Sequence, residues 1–125
     1  MDTILIIEKE HSIRRALNYA LQSTGYEVYE AESFTEGYDL LRSISFDGLI
    51  INYENLERER LPYVLSYSIP VIFLTDLFGL PSWVAKNLPE FAYQFTLPFQ
   101  LKAFLSQVEA AIKKRTSKQI SFAAV

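Results

Sequence analysis

The sequence contains no cysteine, an absence that removes disulfides, thiolate metal sites and cysteine nucleophiles together. Histidine occurs once, so chemistry that needs paired imidazoles is excluded as well. No apolar stretch approaches the roughly 20 residues of a membrane span. Met1-Asp2-Thr3 leads directly into a strand-like run without a basic leader, so a cytoplasmic location and no membrane partner are expected. Glycine is scarce, and Gly25, Gly37, Gly48 and Gly79 are too scattered to form a dinucleotide fingerprint. An excess of one charge is missing too: 12 basic and 15 acidic residues are spread along the chain, which leaves no electrostatic footprint for nucleic acid. What is present is apolar residue, half of a 125-residue chain, enough for one buried core and too little for two ordinary domains.

Two kinds of segment alternate. Ile4 to Ile7, Glu27 to Glu30, Leu49 to Asn52, Val71 to Thr75 and Ala92 to Thr96 are short and β-prone. The first, third and fourth are continuous apolar runs, the pattern of strands buried on both faces of a parallel sheet. Between them lie helical spacings: Ile13, Leu17, Ala20 and Leu21 form one stripe, and Leu101, Phe104, Leu105, Val108 and Ile112 another. Ser33-Phe34-Thr35-Glu36 has the capping-box pattern of a helix start. Gly25 follows the first helix where a left-handed C-cap is wanted, and Pro81 is expected in the first turn of a fourth helix through Trp83 and Val84. Five strands alternating with helices imply right-handed crossovers and a three-layer α/β sandwich. The third helix is the weakest element, because only 22 residues separate Asn52 from Thr75 and Pro62 interrupts them.

The blocks Ile4-Leu5-Ile6-Ile7-Glu8, Ser12-Ile13-Arg14-Arg15-Ala16-Leu17, Gly25-Tyr26-Glu27-Val28, Pro70-Val71-Ile72-Phe73-Leu74-Thr75 and Leu97-Pro98-Phe99 resemble the response-regulator receiver domain. The likeness runs from about Ile4 to Lys114. It implies a flavodoxin-like sheet of five parallel strands in the order 2-1-3-4-5, with a third helix about two turns shorter than the family pattern. It also implies a phosphorylation pocket at the strand ends, and there this chain departs from the family. Receiver chemistry needs a carboxylate nucleophile, further carboxylates to hold magnesium, a hydroxyl to meet the phosphoryl group and a lysine to neutralise it. The acidic pair falls on Glu8-Lys9, so one carboxylate has become a cation. The nucleophile falls on Asn52, whose neutral amide cannot form an acyl phosphate. Thr75 matches the hydroxyl position. Leu97 occupies the place of the lysine and offers no charge, and the switch aromatic corresponds to Gln94, flanked by Tyr93 and Phe95. Leu97-Pro98 corresponds to the family's lysine-proline step, which implies a cis peptide at Pro98. The resemblance is therefore to a degenerate receiver lacking the phosphoacceptor aspartate, without magnesium, cofactor or enzymatic activity.

Neighbouring acidic residues and the one histidine do not substitute for the missing groups. Asp47 lies at the beginning of its strand, on the wrong edge of the sheet. Asp76 is expected to start the loop after Thr75, and Glu10 to be a solvated charge at a helix N-terminus. His11 lacks suitable partners and reads as a surface loop residue. The turn Glu8-Lys9-Glu10-His11 has no glycine and net negative charge, so it would repel a phosphate. Lys9 is expected either to fill the metal position by pairing with Glu8 or Glu10, or to point to solvent. In receivers the face of the fourth helix, fifth strand and fifth helix docks partners or a second copy, which makes Trp83, Tyr93 and Phe95 candidate interface residues. Glu57-Arg58-Glu59-Arg60 reads as a solvated turn or a docking edge. Lys113-Lys114-Arg115 is expected to close the fifth helix, giving a receiver-like domain over 1–115 and a tail or linker over 116–125. The reading that results is a phosphorylation-independent signalling module acting through protein contacts, including a homodimer, with a regulatory domain of a larger transcription factor or signalling enzyme second and a small-ligand sensor using the vacated crevice third.

Overall fold

The runs rich in isoleucine, leucine and valine become strands because branched side chains pack well on a pleated surface. In the computed structural model β1 (Thr3–Ile7), β2 (Glu27–Ala31), β3 (Gly48–Asn52), β4 (Val71–Thr75) and β5 (Ala92–Thr96) are all parallel and ordered β2-β1-β3-β4-β5. The structure describes residues 1–124 apart from Leu77, Pro98 and Phe99, and for 116–124 the backbone alone. The peptide bond implied as cis at Pro98 lies outside the described residues. Every residue of β3 and β4 is buried, whereas the edge strands β2 and β5 are only half-buried, which explains why the continuous apolar runs fall in the middle of the sheet.

Alternate residues of the strands feed two cores. Leu5, Ile7, Leu49, Ile51 and Phe73 face α2 (Phe34–Ser43), α3 (Leu61–Leu65) and α4 (Ser82–Ala85). Ile4, Ile6, Ile50, Ile72 and Leu74 face α1 (His11–Ser23) and α5 (Leu101–Ala124), where Leu17, Leu21, Phe104, Val108 and Ile112 complete the packing. Each fully buried side chain of this kind contributes about 1.5–3 kcal/mol relative to exposure. The result is the expected three-layer sandwich.

Helix ends follow the local sequence. At the end of α1 the Gly25 N–H donates to Gln22 O and the Tyr26 N–H to Leu21 O, the paired bonds of a Schellman cap, and Gly25 takes φ +98 to make them. At the start of α2 the Glu36 N–H donates to Ser33 Oγ as the capping pattern predicts, while the Glu36 carboxylate receives the N–H of Glu32, one residue before the cap. Pro62 stands in the first turn of α3, which is only five residues long and follows two 3-10 turns, Tyr53–Asn55 and Arg58–Arg60. Pro81 is the residue before α4 rather than within its first turn, because ψ 143 keeps it extended; its carbonyl accepts from Val84 and Ala85. Leu101 departs from its expected place in the α5 stripe and is 44% exposed. The helix also carries on past Arg115, since no glycine or proline among residues 116–124 stops it. What Ile120, Phe122 and Val125 pack against lies outside the described side chains.

Gly37 shows how closely α2 lies on the sheet. A Cβ built there would come within 2.6 Å of Ile7 Cγ1, a buried atom at the end of β1. Overpacking of this kind costs about 1–3 kcal/mol, more than the ~1 kcal/mol that alanine gains over glycine inside a helix. Gly37→Ala is therefore expected to lower the urea midpoint with little change of slope; an unchanged or raised midpoint would show that α2 can lift from Ile7 without loss.

Candidate functional site

Four strand ends converge on one edge of the sheet. Pairing of Ile7 with Ile51, of Asn52 with Leu74 and of Thr75 with Thr96 brings the residues that follow β1, end β3 and end β4 side by side. The Glu8 N–H donates to Ala31 O at 3.0 Å, which extends the ladder past Ile7 and draws Glu8 into the protein, where it is 2% exposed. One of its oxygens, Oε1, accepts from the Glu10 N–H at 3.2 Å, and the other, Oε2, is buried without a hydrogen-bond partner. Burial pushes the Glu8 carboxyl above the ordinary glutamate range, against the opposing pull of the Asn52 carboxamide and the Glu10 amide.

Asn52 uses its side chain locally. Its Oδ1 accepts the Glu54 N–H at 3.0 Å and starts the 3-10 turn that follows β3, a role open to a short polar side chain at a strand end. Thr75 is 3% exposed, and its hydroxyl has no partner in the chain. Its carbonyl accepts the Leu97 N–H at 2.6 Å, which seats Leu97 at the mouth of a cavity of about 570 Å³ lined also by Asn52, Thr75 and Asp76. Asp76 Oδ1 accepts the Phe78 N–H at 2.9 Å and so begins the loop after β4. The strand ends therefore bring Asn52, Thr75 and Leu97 to one crevice, with Glu8 alongside.

Lys9 is not among them. It is exposed, its N–H donates to Asn55 Oδ1 at 3.4 Å, and it lines a separate depression with Glu57 and Arg60. Among the described residues it forms no ion pair with Glu8 or Glu10. Of the two expectations for Lys9 the structure follows the solvent-facing one, so Lys9 is removed from the pocket residues: the β1–α1 turn directs it outward. Glu10 is exposed and precedes α1 without a side-chain cap. Asp47 lies at the opposite edge, where its Oδ2 accepts the Thr3 N–H at 2.8 Å. His11 begins α1 and is exposed, and its Nδ1 accepts from Arg14 Nη2 at 3.0 Å.

The residue that organises this corner is Arg14, which sequence reasoning passed over. It is 5% exposed; Nη1 donates to Glu8 O at 2.8 Å and Nε to Glu30 Oε1 at 2.9 Å, tying the β1–α1 turn to β2. Arg15 and Asn18 donate to the second oxygen of Glu30. Burial alone would raise the Glu30 carboxyl, but these three donors outweigh it and hold it below the usual range. A signal was available, since Arg14 and Asn18 fall at helical spacing with Leu17 and Leu21 on the face turned to the sheet.

A magnesium ion fits these residues poorly. Glu8 has a carboxamide beside it, the acids lining the crevice, Glu10, Glu54 and Asp76, are exposed, and among the described residues no three histidine, aspartate or glutamate side chains converge to hold a metal. The site retains a strand-end crevice, one buried acid and one unpartnered hydroxyl.

Comparison with solved structures decides the fold. The response regulator receiver domain protein from Clostridium thermocellum matches with a TM-score of 0.79 at 24% identity, covering 93% of this chain and 98% of that one. The chain has the fold of a receiver domain. Among curated proteins it is 30% identical over 121 residues to the uncharacterized transcriptional regulatory protein YkoG of Bacillus subtilis, covering 92% of this chain but only about half, 53%, of that protein's length. It is 23% identical over 114 residues to the response regulator receiver protein CpdR of Brucella abortus, covering 87% of this chain and 95% of that one. No protein-family model matches the chain.

Within the receiver fold, Gln94 stands where the switch aromatic was expected to be replaced, and its Oε1 accepts the Leu80 N–H at 3.0 Å. Phe95 packs edge-on against Phe104 at 5.5 Å and Tyr93 leans on the same core, so both are partly committed to packing. Trp83 is 43% exposed, with the Arg58 guanidinium 4.1 Å above its ring. Arg60 lies 4.9 Å from the Phe34 ring, so the charged string after β3 rests on aromatic faces as well as in solvent.

The buried Glu8 carboxyl, with no cation beside it to offset its burial fully, sets a pH dependence. Below the ordinary glutamate range it is protonated in folded and unfolded chains alike and contributes nothing; as pH rises through its elevated native value, the folded chain must hold an ion that the unfolded chain hydrates, and stability falls. Glu8→Gln should therefore stabilise the protein at neutral pH, with the gain shrinking toward about pH 4. Chemical denaturation at the two pH values measures it, and a gain that grew on acidification would contradict the assignment.

Proposed function

We propose that this receiver-fold chain is a regulatory module of two-component-type signalling that works without phosphorylation and acts through protein contacts. The observation that carries the reading is Asn52 at the end of β3: a neutral amide, engaged in capping the next turn, where phosphoryl transfer needs a carboxylate nucleophile. Two further features support it. Leu97 presents an aliphatic group where the transferred charge would need neutralising, and Lys9 points away from the pocket. The relatives named above are a transcriptional regulatory protein and a response regulator receiver protein, which supports placing the chain in the same kind of pathway.

The exchange at position 94 supports a fixed rather than a switching state. A switch aromatic changes rotamer between two pockets, whereas Gln94 is bonded to the Leu80 amide and lies against Gly79, which has φ +70 and leaves no room for a side chain. The β4–α4 loop and β5 are thereby held together. Incubation with magnesium and acetyl phosphate, followed by intact-mass measurement, is expected to leave the mass unchanged; a phosphoryl adduct would overturn the reading.

The contact surface we assign is the face of α4, β5 and α5, with Trp83 on α4 as its exposed anchor and the half-buried Tyr93 and Phe95 contributed by β5 on the α5 side. Large rings supply contact area at low entropic cost, and Trp83 already carries a stacked cation. Self-association through this face predicts a concentration-dependent dimer in light scattering that Trp83→Ala weakens at least several-fold; a strictly monomeric wild-type chain at high concentration would remove the homodimer from the proposal.

A second reading is favoured by the half-length match to the Bacillus subtilis protein: the receiver-like domain over 1–115, with 116–125 as tail or linker, would be the regulatory part of a longer transcription factor or signalling enzyme. In that reading the same surface would dock against the attached output domain.

A further inference from the structure

The crevice left beside Asn52 has a lining that phosphoryl chemistry does not account for. Its walls are Ile13, Ala16 and Leu17 from α1, Leu97 after β5 and Leu101 at the start of α5. Its polar residues are Asn52 and Thr75 at the strand ends and the carboxylates Glu10, Glu54 and Asp76; among the described residues no lysine, arginine or histidine lines it. At about 570 Å³ the volume suits a small organic molecule. The apolar walls would take a ring, and three acids without a base set a negative potential at the rim. Leu101 adds to this: it belongs to the heptad-like stripe of α5 by spacing, yet the structure leaves it open to solvent beside the cavity.

The second, independent observation is the Thr75 hydroxyl. Buried hydroxyls nearly always find a partner, and an orphan one calls for an explanation. Thr75 is 3% exposed, lines the cavity and has no partner for Oγ1. Rotation of about 120° around its Cα–Cβ bond exchanges hydroxyl for methyl and offers Oγ1 to an occupant of the crevice. A bound amine would supply the missing partner.

We infer that this crevice binds a small organic cation, a primary amine on an apolar ring system, with the ring among the side chains of α1, Leu97 and Leu101 and the ammonium directed to Thr75 and the rim carboxylates. The inference goes beyond the protein-contact reading and does not require it, because a phosphoryl adduct would sink that reading and leave a ligand titration standing. Amine binding here would give the protein an input that does not pass through phosphorylation.

Three probes with one ring system separate the contributions: tryptamine, its neutral alcohol tryptophol, and indole-3-acetate. Titrated into the isotopically labelled chain, tryptamine is expected to shift the amide resonances of Asn52, Thr75 and Leu97 saturably. Tryptophol should bind about fivefold more weakly, the value of one screened ion pair, and indole-3-acetate should not bind. Ala16→Trp fills the crevice from an exposed helix position, so the fold should persist while tryptamine binding falls at least about tenfold. Thr75→Val, which keeps the shape and removes the orphan hydroxyl, should weaken tryptamine without lowering stability. Equal binding of amine and acid would overturn the cation assignment. Absence of saturable shifts, or shifts that survive Ala16→Trp, would overturn the site.

Discussion

A single carboxyl group, Glu8, sits at the switch in strand order with almost no access to water and one oxygen unanswered. Everything placed around it has to be compatible with that group. The neighbouring strand contributes the carboxamide of Asn52, and the adjacent lysine turns outward. The side chain next to Glu8 is thus an uncharged amide, and the charged groups of the crevice, Glu10, Glu54 and Asp76, are exposed. Asn52 also begins the turn after β3, so that one residue both borders the buried acid and shapes the local backbone.

The framework was readable from residue pattern to a large extent. Continuous branched runs at Ile4 to Ile7, Leu49 to Asn52 and Val71 to Thr75 identify the interior strands because a strand covered on both faces has no room for alternation, and the stripes of α1 and α5 follow the 3.6-residue period. Gly25 and Ser33 marked helix ends through stereochemistry and hydrogen-bonding capacity that act within a few residues. Strand order was a different matter. It came from family likeness, since periodicity carries no information about which strand lies beside which.

What escaped the sequence depends on geometry between distant segments. Arg14 looked like a framework residue of a matching block, yet it is the clasp between the β1–α1 turn and β2, satisfied by Glu30 and by backbone carbonyls that only the folded turn presents. The direction of Lys9 depended on the same turn, and two adjacent carboxylates in the sequence gave no sign that it would face the Asn55 side. Family likeness put Gln94 at the switch-aromatic position, but its bond to the Leu80 amide required the β4–α4 loop to be in place. The end of α5 was misjudged for a plainer reason: three successive cations suggested a terminus, whereas a helix needs a stopping residue and none follows.

Arg58 and Trp83 illustrate how the shortened segment after β3 affects a remote surface. The guanidinium stacks on the indole from a 3-10 turn that stands where a longer helix would otherwise run, so the indole has one face already covered. Any macromolecule that lands on that tryptophan must therefore touch an arginine from a different crossover or displace it. Recognition of this patch and the contour of the third crossover are thereby bound together, and sequence drift in one would be felt by whatever reads the other.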